Sequence, residues 1–243
     1  MKKQGNIFIT TIQIILIAII IFSGIKIIEW IKSNKENRDI MNQIKDGVTV
    51  YRDEENSNEE KYKIDFEKLK QKNSDTIAWI KVNGTDIDFP VVKGTDNSYY
   101  LTHNFNKEKN KAGWIFADYK NKFDGTDKNI VIYGHNMRDG SMFAGLKDVI
   151  KEDWYNNENN KYVTLITENE YQTYQVFSVY QTEVEEYYLQ TNILNFNEFI
   201  EKIKNRSKKD FNVEIKETDN LLTLSTCADN TKYRVVLHAV KIK

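Results

Sequence analysis

The stretch Leu221–Arg234, Leu-Leu-Thr-Leu-Ser-Thr-Cys-Ala-Asp-Asn-Thr-Lys-Tyr-Arg, joins a strand to a thiol and a turn. Its leucines and threonines favour a half-buried strand. This strand ends at Cys227, the only cysteine among 243 residues, and Ala228-Asp229-Asn230 then favours a loop. A second strand is predicted over Tyr233–Ile242. A thiol at a strand end can be exposed and rigidly held, as a nucleophile requires. The alternative is a buried cysteine that packs as a small apolar residue.

A histidine is the second candidate group, because a thiol with a pKa of about 8.5 needs a base or a positive environment to react at neutral pH. His135 follows an apolar strand and precedes a polar turn, Asn-Met-Arg-Asp-Gly, so it points out of a sheet edge. His103 lies in a polar loop, and His238 lies in the middle of the last strand. Because catalytic groups collect at loop ends, we interpret these two as a surface and a packing residue.

Arg234 is the third candidate group. It lies seven positions after Cys227 and returns beside the thiol if the two strands form a hairpin. A guanidinium there could stabilise negative charge on an attacked carbonyl. Taken alone, Arg234 would be an ordinary surface arginine.

Two motifs resemble those of a known family. Thr223-Leu-Ser-Thr-Cys227 followed by Arg234 resembles the Thr-Leu-x-Thr-Cys…Arg signature of sortases, and Tyr133–Phe143 is similar to the histidine segment of the class B branch. The similarity runs from about Asp65 to Lys243. Sortases are membrane-anchored cysteine transpeptidases of Gram-positive bacteria. The resemblance implies a closed eight-stranded β-barrel with peripheral helices, with Cys227 as nucleophile, His135 as acid/base and Arg234 as oxyanion-stabilising group.

The resemblance also implies the reaction and its partners. A class B enzyme cleaves an Asn-Pro-x-Thr-like sorting signal after threonine through a thioester, and transfers the secreted protein to a peptidoglycan amine. One alternative is a pilin-polymerising sortase, which commonly carries a lid with an Asp-Pro-aromatic plug. The single proline, Pro90, lies instead in a strand-like run. The other alternative is a membrane-tethered binding module that has lost activity, against which the three retained side chains argue.

Composition excludes several other classes. The 36 acidic and 35 basic residues nearly cancel, so no charged field indicates a nucleic-acid partner. One cysteine excludes an internal disulfide framework. Asp139 and Asp229 lack clustered acidic partners at a metal-binding spacing, and we expect no metal or organic cofactor.

The segment Ile7–Ile28 is nearly continuous isoleucine, has no polar face and is about as long as a bilayer core requires. We predict an uncleaved anchor over 7–28, since no small-x-small pair follows the run as in a cleaved signal peptide. Basic residues flank it on both sides, so the positive-inside rule does not decide its orientation. The resemblance does, and implies a cytoplasmic tail over 1–6 and an extracellular domain.

Residues 29–64 are highly charged and are interpreted as an extracellular stalk with a short helix that contains Ile40, Met41 and Ile44. The acidic run Asp53–Glu60 is typical of a solvated connector. The catalytic domain is expected over 65–243.

Short strands and short connections predict a closed or nearly closed β-barrel in that domain. Strands are expected at Ile77–Val82, Ile87–Val92, Ala112–Ala117, Asn129–Tyr133, Tyr162–Thr167 and Tyr171–Val184, and Asn83-Gly84 predicts a turn between the first two. Helices are expected at Phe66–Lys72, Ser141–Ile150 and Asn195–Lys204. The last of these lies in the long connection before the cysteine strand, which in class B sortases forms one wall of the substrate groove.

Two further residues are candidates for substrate binding. Ser225 lies two positions before Cys227 and shares its strand face. Asn97 matches a class B segment that lines the groove. A strand-face hydroxyl and a turn asparagine with no role in binding are equal alternatives.

Overall fold

Eight strands close into a barrel in the computed structural model, which describes residues 2–46, 48–52, 60–227 and 232–243. A separate hairpin comes first, formed by β1 (Val48–Arg52) and β2 (Glu60–Ile64). The barrel strands are β3 (Thr76–Val82), β4 (Asp88–Val92), β5 (Phe116–Ala117), β6 (Asn129–Gly134), β7 (Tyr162–Thr167), β8 (Tyr171–Glu183), β9 (Leu221–Cys227) and β10 (Tyr233–Lys241). Around the barrel their order is β10, β8, β7, β3, β4, β5, β6, β9. The prediction of a closed eight-stranded barrel is confirmed.

The pairing of the strands is mixed. β4 pairs with β5 and β6 with β9 in parallel, whereas the other neighbours are antiparallel. Leu224 and Leu237, which pair across β9 and β10, are both fully buried, as are Trp79 and Val91 on the far side of the barrel. Burial of such a side chain contributes roughly 2 kcal/mol, so these residues hold the barrel strands together.

The described helices are α1 (Lys2–Lys45), α2 (Phe66–Lys72), α3 (Glu152–Tyr155) and α4 (Phe196–Arg206). Short 3-10 turns cover Tyr99–Leu101, Ala144–Lys147, Glu158–Asn160 and Tyr187–Leu189. α2 begins where predicted, because the Asp65 side chain accepts a hydrogen bond from the Lys68 backbone N–H at 2.9 Å. α4 is amphipathic and buries residues at helical spacing, namely Phe196, Phe199, Ile200 and Ile203.

Two predicted elements are shorter than expected. The helix expected over Ser141–Ile150 is only a 3-10 turn, because Met142 has a φ of +56° and the Ser141 hydroxyl bonds Asp139 at 2.7 Å instead of capping a helix. The strand expected over Ala112–Ala117 is limited to β5, because Gly113 has a φ of +55° and leaves the extended conformation.

Residues 29–64, which were predicted to form a stalk, also differ from the prediction. Ile40, Met41 and Ile44 are helical, but they belong to the long helix α1 and are buried against the domain. The short helix predicted here is therefore the end of α1, and it packs on the domain. Most of the acidic run lies outside the described residues. Over Ile9–Lys45, α1 is long and apolar enough to cross a membrane, and its isoleucines up to Ile28 are exposed.

Candidate active site

The register of the last two strands brings Cys227 and Arg234 together. β9 and β10 form the expected antiparallel hairpin, in which Arg234 lies directly opposite Cys227. Residues directly opposite in such a pair have Cβ atoms about 5 Å apart and share one face of the sheet. The hairpin thus places Arg234 beside Cys227, as the spacing of seven residues predicted.

The parallel pair β6 and β9 brings His135 to the same rim of the barrel. Gly134 at the end of β6 pairs with Thr226, whose hydroxyl donates to the Gly134 carbonyl at 2.5 Å. His135 directly follows Gly134, and Cys227 directly follows Thr226. Since parallel strands end at the same edge, the backbone places both residues at one end of the barrel.

A backbone carbonyl orients the His135 ring. Nε2 of this half-buried histidine lies 2.8 Å from the carbonyl oxygen of Leu101, and a carbonyl can only accept. Nε2 therefore carries a proton, and Nδ1 is the nitrogen that can accept one. Sequence reasoning found no third partner for His135. The partner is a backbone carbonyl, which every residue has, so no residue type in the sequence marks it.

The loop that carries Leu101 is held by a close backbone approach. Gly113 has a φ of +55°, and a Cβ at this position would lie 2.4 Å from the Tyr100 carbonyl oxygen and 2.9 Å from that of Leu101. The Trp114 N–H donates to the Tyr100 carbonyl at 2.9 Å. The buried Asn37 of α1 donates to the Gly113 carbonyl at 3.3 Å. A chain of contacts thus connects α1 with the histidine.

The segment after His135 folds back beneath it. The Phe143 N–H donates to the His135 carbonyl at 2.9 Å. A Cβ on Gly134 would lie 2.6 Å from the Phe143 ring, so only glycine fits before the histidine. Both sides of His135 in the chain are therefore fixed by packing.

Arg234 is partly buried at the start of β10. Its Nη1 donates to the Tyr233 carbonyl at 3.0 Å, and its other strand neighbour in the register is Thr182 of β8. This placement keeps the guanidinium at the rim on which β9 ends.

Ser225 lies beneath a tyrosine of the long β8–β9 connection. It is 3% exposed, and its hydroxyl lies 3.2 Å from the hydroxyl of Tyr188. In the register of the parallel strands Ser225 is paired with Tyr133. Contact between Ser225 and a peptide stays a prediction, and any such contact requires Tyr188 to share or yield its hydrogen bond.

Asn97 belongs to a row of hydrogen-bonded polar side chains, Asn97, Asp118 and Tyr133, that leads to the strand partner of Ser225. Its amide nitrogen and the Tyr133 hydroxyl both donate to one oxygen of Asp118, each at 2.8 Å. Its amide oxygen accepts from the Tyr119 N–H at 3.0 Å. Burial, followed by the charge of Asp118, raises the pKa of Tyr133. Asp118, Tyr133 and Tyr188 were not predicted as site residues, because no local sequence pattern marks them.

The other two histidines lie where they were expected. His238 is fully buried between the Tyr180 hydroxyl on Nε2 and the Thr223 hydroxyl on Nδ1, each at 2.9 Å. Burial lowers its pKa to about 3, with a further contribution from Arg206. His103 lies in a partly exposed loop, with its ring stacked on that of Tyr99 at 4.0 Å.

The long connection before β9 is bound to the barrel at several points. Ser178 of β8 donates to the Ile203 carbonyl of α4 at 2.9 Å. The Ser207 hydroxyl accepts from the Val179 N–H at 3.1 Å, and Arg206 pairs with Glu185. α4 is thus fixed against β8.

Comparisons with known proteins agree with this fold. A family model described as the sortase domain matches residues 80–242. Sortase B of Listeria monocytogenes is 34% identical over 227 residues, which cover 92% of this chain and 91% of that protein. Sortase B of Staphylococcus aureus is 32% identical over 244 residues, which cover 97% of each chain.

Solved structures give the same result. Clostridium perfringens sortase B has a TM-score of 0.68 at 42% identity, over 73% of this chain and all of that one (100%). Sortase B from Bacillus anthracis in complex with AAEK1 has a TM-score of 0.75 at 30% identity, over 88% of this chain and 99% of that one. The chain therefore belongs to the sortase family. Within that family it is a class B sortase, a cysteine transpeptidase.

Proposed function

We propose that Cys227, His135 and Arg234 are the catalytic residues. The observation that carries this proposal is the register of β6, β9 and β10, in which the distant His135 comes to the same end of the barrel as Cys227 and Arg234. The hydrogen bond from His135 to the Leu101 carbonyl supports it, because an oriented imidazole suits proton transfer.

The proposed reaction consists of two acyl transfers. The proton of the Cys227 thiol passes to His135, and the thiolate attacks the threonine carbonyl of a sorting signal. The peptide C–N bond then breaks as His135 gives this proton to the leaving amine. An incoming amine then attacks the thioester, gives its proton to His135 and releases the thiolate. Arg234 stabilises the oxyanion in both steps, and loss of one such donor typically costs about 3–4 kcal/mol.

The substrates follow from class B membership. We propose an Asn-Pro-x-Thr-like sorting signal on a secreted protein as acyl donor and a peptidoglycan amine as acceptor. The row from Asn97 through Asp118 to Tyr133, together with Ser225 and Tyr188, supplies polar groups for an extended peptide beside Cys227. Pro90, the single proline, lies in β4 opposite Trp79, which argues against an Asp-Pro-aromatic plug and so against the pilin-polymerising alternative.

We also propose that residues 7–28 anchor the enzyme in the cell membrane as a single span, with the first six residues in the cytoplasm and the catalytic domain outside. The exposed isoleucines of α1 support the span, because no described part of the domain covers them. The extracellular position of sortase substrates supports the orientation.

A panel of fluorogenic pentapeptides tests the assignment. The full-length chain in detergent should cleave Asn-Pro-x-Thr peptides and prefer them to Leu-Pro-x-Thr peptides. Cys227→Ala should abolish cleavage while the melting temperature stays near that of the wild type. Normal turnover by this variant would exclude the thiol mechanism, and preference for another peptide would exclude the proposed signal.

A further inference from the structure

The folded domain contacts α1 directly at the end of its apolar run. That run ends at Ile28, and Glu29 and the partly exposed Trp30 follow. Nζ of Lys111, which lies in the loop before β5, is 2.7 Å from an Oε atom of Glu29. Glu29 directly follows Ile28, and a helix rises about 1.5 Å per residue. The glutamate of this ion pair therefore lies about 1.5 Å along the helix axis from the last residue of the apolar run. Tryptophan beside such a run is typical of the membrane–water interface.

Further contacts hold the same loop along the next two turns of α1. The buried Asn110 donates to the Ser33 carbonyl and to Glu36, each at 3.2 Å. The fully buried Asn104 donates to Glu36 at 3.3 Å. The contacts span residues 29–36, about 10 Å along the helix axis. If 7–28 cross the bilayer, this loop is held at the level of the lipid headgroups.

A cleft of about 600 Å³ lies between α1 and this loop. Three exposed lysines line it, Lys32 from the helix and Lys109 and Lys111 from the loop. The two carboxylates of the cleft already have partners, since Glu29 pairs with Lys26 and Lys111, and Glu36 accepts from the two asparagines. Lys111 is itself one of these partners, so three lysines face two carboxylates, and the cleft keeps a net positive charge at headgroup level on a rigid support.

We infer that this cleft binds the phosphate of an anionic phospholipid headgroup in the outer leaflet, an inference that rests on the membrane span proposed above. Lysines near a membrane surface gain about 1 kcal/mol each from anionic lipids. Lys32, Lys35 and Arg38 follow the span on its extracellular side, whereas the positive-inside rule places basic residues on the cytoplasmic side. Contact with anionic lipid would explain these basic residues.

Lipid binding at this position would hold the active site close to the membrane. Thr102 lines the cleft, and its neighbour Leu101 provides the carbonyl that orients His135. The rim of the barrel that carries His135 is thus attached to a lipid-facing surface through two adjacent residues. Substrates that reach the enzyme along the membrane would meet the rim there.

Native mass spectrometry of the full-length chain in detergent tests this inference. Phosphatidylglycerol and phosphatidylcholine are titrated separately, and the fraction of chain with bound lipid is measured. The wild type should prefer phosphatidylglycerol. The double variant Lys109→Gln/Lys111→Gln should bind it about twenty-five-fold more weakly, about fivefold for each lysine, with phosphatidylcholine binding unchanged. The matched control is Lys208→Gln/Lys216→Gln, which removes the same charge from exposed positions of the β8–β9 connection and should behave as the wild type.

Three results would overturn the inference: equal affinity for the two lipids, equal loss in both double variants, or displacement of phosphatidylglycerol by millimolar inorganic phosphate, which would indicate a site for free phosphate. Two separate measurements test the proposals on which it rests. Carbonate extraction of cell membranes tests the span, and cleavage of a soluble peptide tests the enzyme.

Discussion

Replacement of Gly113 by alanine should damage catalysis without any change to a catalytic side chain. The new Cβ would lie 2.4 Å from the Tyr100 carbonyl oxygen and 2.9 Å from that of Leu101, whereas ordinary contact begins at 3.4 Å. Both neighbours are backbone atoms, so the loop itself must move, by about 0.5 Å at Leu101 and about 1 Å at Tyr100. A shift of this size stretches the 2.8 Å hydrogen bond to His135 beyond its normal range.

The expected loss is about 10- to 100-fold in kcat, because a displacement of about 1 Å at a reacting group costs on the order of 100-fold. The variant should also lose about 2–4 kcal/mol of stability, of which about 1–2 kcal/mol comes from the left-handed backbone and the rest from crowding. Initial rates on the fluorogenic peptide and thermal unfolding of the full-length chain measure the two effects.

Gly125→Ala is the matched control. Gly125 has a φ of +85°, but nothing lies within 4 Å of a Cβ at that position. The control should therefore lose only the backbone contribution of about 1–2 kcal/mol and keep its activity. If folded Gly113→Ala matches the control in kcat, the Leu101 carbonyl does not orient the catalytic histidine.

Three further changes have definite expected outcomes. Arg234→Lys should lower kcat/KM at least 100-fold at an unchanged melting temperature, since an ammonium cannot reproduce the planar fork of the guanidinium; equal activity would exclude the oxyanion role. Asn97→Ala should lower the unfolding free energy by about 1–3 kcal/mol in urea titrations, because Asp118 and the Tyr119 N–H lose a partner; no loss would mean that water replaces the amide. His238 has a pKa of about 3 in the folded chain against an unperturbed 6.5, so its stabilisation is complete above about pH 6.5 and is lost as the pH falls towards 3. Its contribution changes by at most about 1.4 kcal/mol per pH unit. The stability difference between wild type and His238→Gln should therefore shrink from about pH 7 to about pH 5, and a constant difference would contradict the buried neutral imidazole.

Apolar patterns and cap residues predicted those strands and helices that are determined by neighbouring residues in the sequence. β7 has the predicted bounds, Tyr162–Thr167, and α2 begins after the cap residue Asp65 as expected. The hairpin of β9 and β10 follows from two apolar runs joined by loop residues. The closed barrel follows from the number and shortness of such strands, and its count of eight came from the family resemblance.

Features that depend on tertiary contact could not be predicted in this way. The residue type of Gly113 suggests a turn but does not show that its backbone rests against Leu101. Ser141 looks like a helix cap, yet its hydroxyl is used within its own loop by Asp139. The charged segment after residue 29 looks like a solvated stalk, because its few apolar residues are too sparse to show that they pack on the domain.

The same limit applies to the candidate site. Cys227 and Arg234 are close in sequence, so the hairpin could be inferred. The approach of His135 depends instead on a parallel pair of strands whose last paired residues, Gly134 and Thr226, are 92 positions apart (226 − 134). The row of Asn97, Asp118 and Tyr133 joins three separate segments. No pattern within one segment indicates such a row.

The central claim is that Cys227 carries the acyl group between the two substrates. Intact-mass and peptide-mapping mass spectrometry of the full-length chain, stopped with acid during turnover of an Asn-Pro-x-Thr peptide, measures this directly. We expect a mass increase equal to the fragment acid that ends in threonine less one water, located on Cys227 and removed by hydroxylamine, as a thioester requires. A chain that turns the peptide over with Cys227 unmodified, or with the fragment on another residue, would contradict the account.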